Sequence, residues 1–314
     1  MNKVAELDFL DFLDEETRKK VEEKRKETPN CEIISGEPRE DGTIDVLVFN
    51  TKGKMSAEEL ATGRIKGKVK DIYRGKSIFK DVSRELKQGI YDKLYFESKE
   101  KAKDQLPYEI KHTQYSLWAR SIKMALPLIE RVLDIGCGRG EFVRGFNEIG
   151  IEAHGVDISE YSIKDGLSRA PFLNGKLHIC DIDKDKLPFP EEYFDLIISI
   201  NTIEHVCSPS RFVEESRRVL KPRGYILVIT HIPGSEHDVG DVTHLNTRSK
   251  EEWIKLFKRY GLQHDERFEK EIIQGLIKFK VSATPQKWKD REKERDERLR
   301  KLLEEERISL IFSK

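Results

Sequence analysis

The stretch Val132–Phe142, VLDIGCGRGEF, decides the fold. An apolar run ends at Ile135, glycines follow at 136, 138 and 140, and a helix-compatible stretch begins at Glu141. A strand that enters such a turn and leaves it as a helix opens a βαβ unit. Glycine suits the turn because the chain must reverse sharply and bring its backbone close to a ligand with no Cβ in the way. The first amides of the helix face the same crevice, where they can donate to a polar ligand group. Taken alone, this pattern also fits dinucleotide-binding dehydrogenases and ordinary tight loops, so the flanking segments must discriminate.

Beyond Pro107, short β-branched runs alternate with amphipathic stretches. Strands are expected near 131–134, 151–156, 176–180, 194–200 and 224–230, with helices near 140–149, 159–168, 208–219 and 249–260. Two further strands are expected at 263–270 and 276–282, giving an α/β, Rossmann-like seven-stranded mixed sheet with helices on both faces. At the end of the second strand, in HGVDIS, the Asp157 carboxylate can accept from both hydroxyls of a ribose. Asp181, in HICDID, is placed after the third strand to accept from an adenine amino group, with Ile158 and Ile182 as apolar faces for the ring. The fourth strand, FDLIISINTIEHV, ends in Asn201 and Thr202, and LKPRGYILVIT supplies a turn and the fifth strand. A dehydrogenase would explain neither Asp181 nor the FDLI, EH and LKPRG succession.

Across residues 131–230, roughly a third of the chain, the order and spacing resemble the class I S-adenosylmethionine-dependent methyltransferases. The resemblance implies S-adenosylmethionine as cofactor. It implies that Asp134, Gly136, Cys137 and Gly138 hold the methionine moiety, Asp157 the ribose, Asp181 the adenine, and Asn201 the rim of the methyl-transfer site. Where the family has LKPGG, this chain has Arg223 before Gly224, in a turn remote from the cofactor.

The acceptor side is less specific, because a sulfonium methyl is already activated and a general base is optional. Candidate groups past the fourth and fifth strands are Glu204, His205, His231, His237 and His244. Glu204 and His205 resemble the acid and histidine of metal-assisted ubiquinone-pathway O-methyltransferases, but Asn201 replaces a further acid. Two adjacent ligands do not close a coordination shell, so no metal is expected. His244 lies in GDVTHLNTRSKEEW, similar to the D-x-THLN loop of methyltransferases associated with glycan biosynthesis. It is the first choice for a base or orienting group, followed by His205 and Glu204. Ser249 and Glu252 form a capping-box signature for the following helix. Tyr115 and Trp118 stand on a helix that often lids the cofactor in the family, but aromatics at i and i+3 are more often core than lid.

The 314 residues exceed one small domain and divide into an α+β accessory region 1–105, a catalytic domain 106–284 and a charged helical tail 285–314. In the first, helices are expected at 4–27 and 56–104 around a hairpin in CEIISGEPREDGTIDVLVFNTKG. Tyr73 and Tyr91 are among its expected core contacts. The 58 basic and 58 acidic side chains balance, which argues against a nucleic-acid partner. Four scattered cysteines, an acidic start and the lack of a long apolar run point to a cytoplasmic protein without a membrane span. Leu299, Leu302 and Leu303 offer a helix face for self-association. The expected function is O- or N-methylation of a small-molecule or glycan acceptor. The alternatives are an RNA or protein acceptor, or a non-catalytic scaffold.

Overall fold

Near-continuous apolar runs along the central strands build a sheet buried on both faces. In the computed structural model, residues 108–234, 244–281 and 307–314 are described continuously, together with 15, 16, 19, 20, 22, 23, 31–35, 43–50, 72–76, 91 and 96. Strands β1 (Cys31–Ser35), β2 (Thr43–Asn50) and β3 (Ile72–Lys76) form an antiparallel sheet in that order. The expected hairpin is β1–β2. Tyr73, expected on a helix, lies instead on β3, paired with Val46 of β2. Of the first expected helix, residues 15, 16, 19, 20, 22 and 23 are helical.

The larger unit runs α1 (Tyr108–Ala125), β4 (Arg131–Ile135), α2 (Glu141–Glu148), β5 (Glu152–Asp157), α3 (Glu160–Arg169), β6 (Leu177–Ile179), β7 (Phe194–Ile200), α4 (Pro209–Val219), β8 (Leu220–His231), α5 (Lys250–Arg259), β9 (Gln263–His264), α6 (Glu266–Val281) and β10 (Arg307–Ser313). Its seven strands lie in the order β6-β5-β4-β7-β8-β10-β9. The first five are mutually parallel, and β10 is antiparallel to both neighbours. Successive strand residues go to opposite layers, as a pleat requires. Leu196, Ile198, Leu227 and Ile229 pack with Trp118 of α1, Phe142 and Phe146 of α2 and Leu276 of α6. Ile197, Ile226, Val228, Leu310 and Phe312 pack with Phe212 of α4 and Trp253 and Phe257 of α5. Burial of this kind contributes about 1.5–3 kcal/mol per large apolar side chain.

Two expectations near the C-terminus are corrected. Residues 266–281 form helix α6 rather than two strands, leaving only Gln263–His264 as β9. Asp265 caps the helix, accepting from the Phe268 amide at 2.9 Å, and Ile272 and Leu276 recur at i+4 spacing in the core. The last strand is Arg307–Ser313, where the charged tail was expected to be helical. It enters the sheet between β8 and β9, with Ile308, Leu310, Ile311 and Phe312 buried. Leu299, Leu302 and Leu303 lie outside the described residues.

Arg223 adopts φ 64°, the left-handed region that favours glycine. Its amide donates to the Lys314 carbonyl at 3.1 Å, so the LKPRG stretch, expected as a turn, forms the start of β8 and is held against β10. The glycine of the family pattern at this position therefore meets a backbone requirement.

Candidate active site

The strand order reverses between β4 and β7, and open α/β sheets place ligands at the carboxyl ends of strands at such a switch point. The glycine turn after β4 folds toward the end of β5. The amides of Gly136 and Cys137 both donate to the Val156 carbonyl, at 2.9 and 3.0 Å. Gly136 sits at φ 82°, and a Cβ there would lie 2.0 Å from Thr202 Oγ1. Only glycine permits that approach.

Asp157 accepts at both oxygens, from the Gly138 amide at 2.8 Å and from the Ser159 amide at 2.8 Å. Each carboxylate oxygen has a second lone pair, so the pair can still receive two ribose hydroxyls. Asp134 is buried beside Gly155 of β5, and the Cys180 amide donates to the Asp157 carbonyl at 2.9 Å, placing Asp181 next in line. Asp181 is also buried and opens a tight turn, with Oδ1 accepting from the Asp183 amide at 3.1 Å. Three carboxylates thus lie at the carboxyl ends of three adjacent strands, Asp134 one residue inside β4, Asp157 closing β5 and Asp181 two residues past β6.

This set fits a ligand that presents donors: an ammonium group, a diol and an aromatic amine. A pyrophosphate does not fit, because it would meet three carboxylates and the buried Glu141 in the first turn of α2. The donor chemistry therefore suits S-adenosylmethionine and disfavours a dinucleotide.

The remaining expected cofactor residues divide. Ile158 is half-buried next to Asp157, whereas Ile182 packs into the core layer with Leu187 and Val206. Cys137 is buried, and a Cβ on Gly155 would lie 2.7 Å from its Sγ. Burial, reinforced by the charges of Asp157, Asp134 and Glu141, pushes its thiol well above the ordinary range. Its backbone faces the turn, but its side chain is a core group. Asn201 follows β7 at φ 52°, a conformation that asparagine tolerates, and its Oδ1 accepts from Arg307 at 2.7 Å.

Tyr115 and Trp118 take the core role that aromatics at this spacing more often have. Trp118 Nε1 donates to the Leu276 carbonyl at 3.1 Å, and Tyr115 stacks on Phe142 with centroids 4.8 Å apart. Other aromatics approach the crevice. Phe96 lies 5.3 Å from the Arg139 guanidinium and 6.1 Å from Tyr161, and Tyr91 meets the His205 ring edge-on at 5.7 Å. The sequence marked Tyr91 only as an apolar contact and did not single out Phe96.

The loop that covers Gly136 with Thr202 continues into a single 3-10 turn, Ile203–His205. Its Glu204 is fully buried, and Thr230 donates to Oε2 at 2.9 Å. Burial raises this carboxyl above its ordinary range, while His244, a backbone hydrogen bond, Arg307 and Thr230 pull the other way. The 244–248 segment is pinned alongside, with the Asn246 amide donating to the Glu204 carbonyl at 2.9 Å and Asn246 Nδ2 donating to the Val206 carbonyl. His244 thereby stands 4.7 Å from His205 and 4.6 Å from His231, centroid to centroid. Arg307, which sequence reasoning did not identify, donates toward His231 and Asn201 from β10. His237 lies outside the described residues. The capping box of α5 is present as expected, Ser249 and Glu252 each bonding the other's amide.

Residues 133–228 match the methyltransferase domain family. Ajmaline N-methyltransferase of Rauvolfia serpentina is 32% identical over 104 residues, which are 32% of this chain and 36% of that enzyme. A ubiquinone/menaquinone biosynthesis C-methyltransferase of Vibrio vulnificus is 32% identical over 105 residues, covering 32% of this chain and 40% of the relative. A ubiquinone biosynthesis O-methyltransferase of Rhodopseudomonas palustris is 31% identical over 111 residues, covering 32% and 39%. The chain thus spans well under half the length of these curated relatives, and their names cover nitrogen, carbon and oxygen acceptors. Among the described residues, no helix is long and apolar enough to cross a membrane.

Proposed function

Because residues 133–228 form a class I S-adenosylmethionine-dependent methyltransferase domain, we propose that this chain transfers the donor's methyl group to an oxygen or nitrogen of a small-molecule or glycan acceptor. The row of Asp134, Asp157 and Asp181 on adjacent strand ends carries the reading. In it, Asp134 and the glycine turn take the methionine end, Asp157 the ribose hydroxyls, and Asp181 the adenine amine. Ile158 flanks the ring. The bound cofactor supplies an activated methyl on a sulfonium, so the protein's main work is positioning the acceptor and excluding water. His244 and His205 are the groups suited to take a proton from a hydroxyl or ammonium acceptor, because imidazole titrates near neutral pH. The O- or N-acceptor reading is favoured over carbon by this imidazole pair, placed one loop turn from the residue that covers Gly136.

The test is transfer of a labelled methyl group from S-adenosylmethionine across a panel of hydroxyl- and amine-bearing small molecules and sugars. Donor-dependent labelling that His244→Ala lowers at least tenfold, with unchanged affinity for S-adenosylhomocysteine, is expected. Labelling undiminished in that variant would remove His244 from the acceptor chemistry, and failure to bind S-adenosylhomocysteine would remove the donor assignment itself.

A further inference from the structure

We propose that Glu204, His205 and His244 form a binding site for a divalent first-row transition-metal ion. One ligand atom from each lies within 4.8 Å of the others. The three come from two separate segments, the turn after β7 and the 244–248 loop, and the loop is anchored to the turn by the 2.9 Å bond from the Asn246 amide to the Glu204 carbonyl. Neighbours in sequence alone would give two adjacent ligands and no shell. The fold adds the third from forty positions downstream.

A second observation points to a ligand. Glu204 is 0% exposed, and among the described residues its Oε1 makes no hydrogen bond. A buried carboxylate oxygen without a hydrogen bond costs about 1–3 kcal/mol or more unless something compensates it. The ring nitrogen Nε2 of His231 faces that oxygen at 3.5 Å, beyond good hydrogen-bond range. A cation held by Glu204 and two imidazoles would compensate the charge directly. The second oxygen of Glu204 is oriented by Thr230, and His231 and Thr230 flank the donors as outer groups that hold ligands in register.

The donor set also selects the ion. Two imidazoles and one carboxylate suit zinc, cobalt, manganese or iron, whereas magnesium and calcium prefer all-oxygen shells. Three protein ligands leave a position for a further donor, as in sites that keep an open coordination place. Ion binding stands apart from the donor assignment, but with an ion held there His244 and His205 would act as its ligands and not as proton acceptors. A role for the ion in holding an acceptor oxygen rests on the methyl-transfer reading.

The experiment uses the full chain stripped of metal with a chelator. Cobalt(II) is titrated by visible absorption and zinc by calorimetry, each with and without excess magnesium, and S-adenosylhomocysteine affinity is measured on the same samples. One equivalent of cobalt giving a low-symmetry visible spectrum, zinc displacing it and magnesium failing to, is expected. His244→Ala and His205→Ala, both at partly exposed positions, should each weaken zinc binding by about tenfold or more while S-adenosylhomocysteine affinity and the circular dichroism spectrum stay unchanged. Absence of a cobalt spectrum and of zinc binding in the wild-type chain, or zinc binding undiminished in both variants, would overturn the site. Either failure accompanied by intact S-adenosylhomocysteine binding would leave the methyltransferase reading standing.

Discussion

The backbone amide of Gly138 donates a 2.8 Å hydrogen bond to Oδ2 of Asp157, tying the glycine turn after β4 to the tip of β5. The bond joins the two sequence signals on which the functional reading rests, a glycine series and an acid nineteen residues later. It also preorganises the carboxylate, because Oδ1 is held at the same time by the Ser159 amide. A ligand that approaches this crevice meets a carboxylate already in place, with no side-chain ordering left to lose on binding.

Gly136→Ala tests the tightness of the turn. The new methyl would overlap Thr202 at a backbone angle of φ 82°. The left-handed conformation alone costs an alanine about 1–2 kcal/mol. A lower unfolding midpoint and at least tenfold weaker S-adenosylhomocysteine binding are expected, measured by denaturant titration and calorimetry.

Arg223→Gly should act in the opposite direction. Relief of about 1–2 kcal/mol at φ 64° is partly offset by the added freedom of glycine in the unfolded chain, about 0.5–1 kcal/mol. A net gain of roughly 0.5–1 kcal/mol in urea unfolding is expected, with S-adenosylhomocysteine affinity unchanged.

Trp118→Ala and Phe96→Ala separate core from crevice. Trp118 is buried and clasps α6 through the Leu276 carbonyl, so its loss should cost about 3–5 kcal/mol of stability. Phe96 lies against Arg139 and Tyr161, beside the glycine turn. Its loss should leave stability nearly unchanged and weaken S-adenosylhomocysteine binding several-fold. Unfolding curves and calorimetry on both variants check the contrast.

How much of this was legible in the sequence follows from which forces are local. The β4 turn, Asp157 and the five parallel strands were readable because glycine spacing, apolar runs and terminal acids are all short-range signals. Strand β10 was not, because ISLIFS at 308–313 follows more than twenty residues dense in charge, and its partners on β8 lie some eighty residues earlier. The helix at 266–281 was missed where Asp265 as cap and Ile272 and Leu276 at i+4 would have revealed it. The convergence of His244 on Glu204 is a tertiary fact, set by the Asn246 anchor, and nothing in either segment alone announces it. Cys137 entered the cofactor set through its place in the motif, but the turn packs its side chain into the core against Gly155.

Acid should destabilise the protein through paired carboxylates. Burial alone would raise Asp195, but hydrogen bonds from Lys221 and from the Glu130 and Arg131 amides outweigh it and hold the group below its ordinary value. Glu215 behaves alike, with Arg218 and the Leu187 amide outweighing burial. Both native values are depressed, so their stabilisation is full above the ordinary carboxylate range of about 4 and is lost as pH falls through the native values below it. Urea unfolding free energies measured from about pH 6 to about pH 3 should fall steeply at the acid end, and less steeply in Asp195→Asn.

The central claim is that the carboxylate at the tip of β5 holds the ribose of an adenosyl donor. Calorimetric titration of S-adenosylhomocysteine into the wild-type chain and into Asp157→Ala, with circular dichroism confirming the fold of both, tests it most directly. Saturable one-to-one binding that weakens by about tenfold or more in the variant is the predicted result, as loss of a charge-assisted hydrogen bond worth about 1.5–3 kcal/mol requires. Equal affinity of the two folded proteins, or no binding by the wild type, would contradict it.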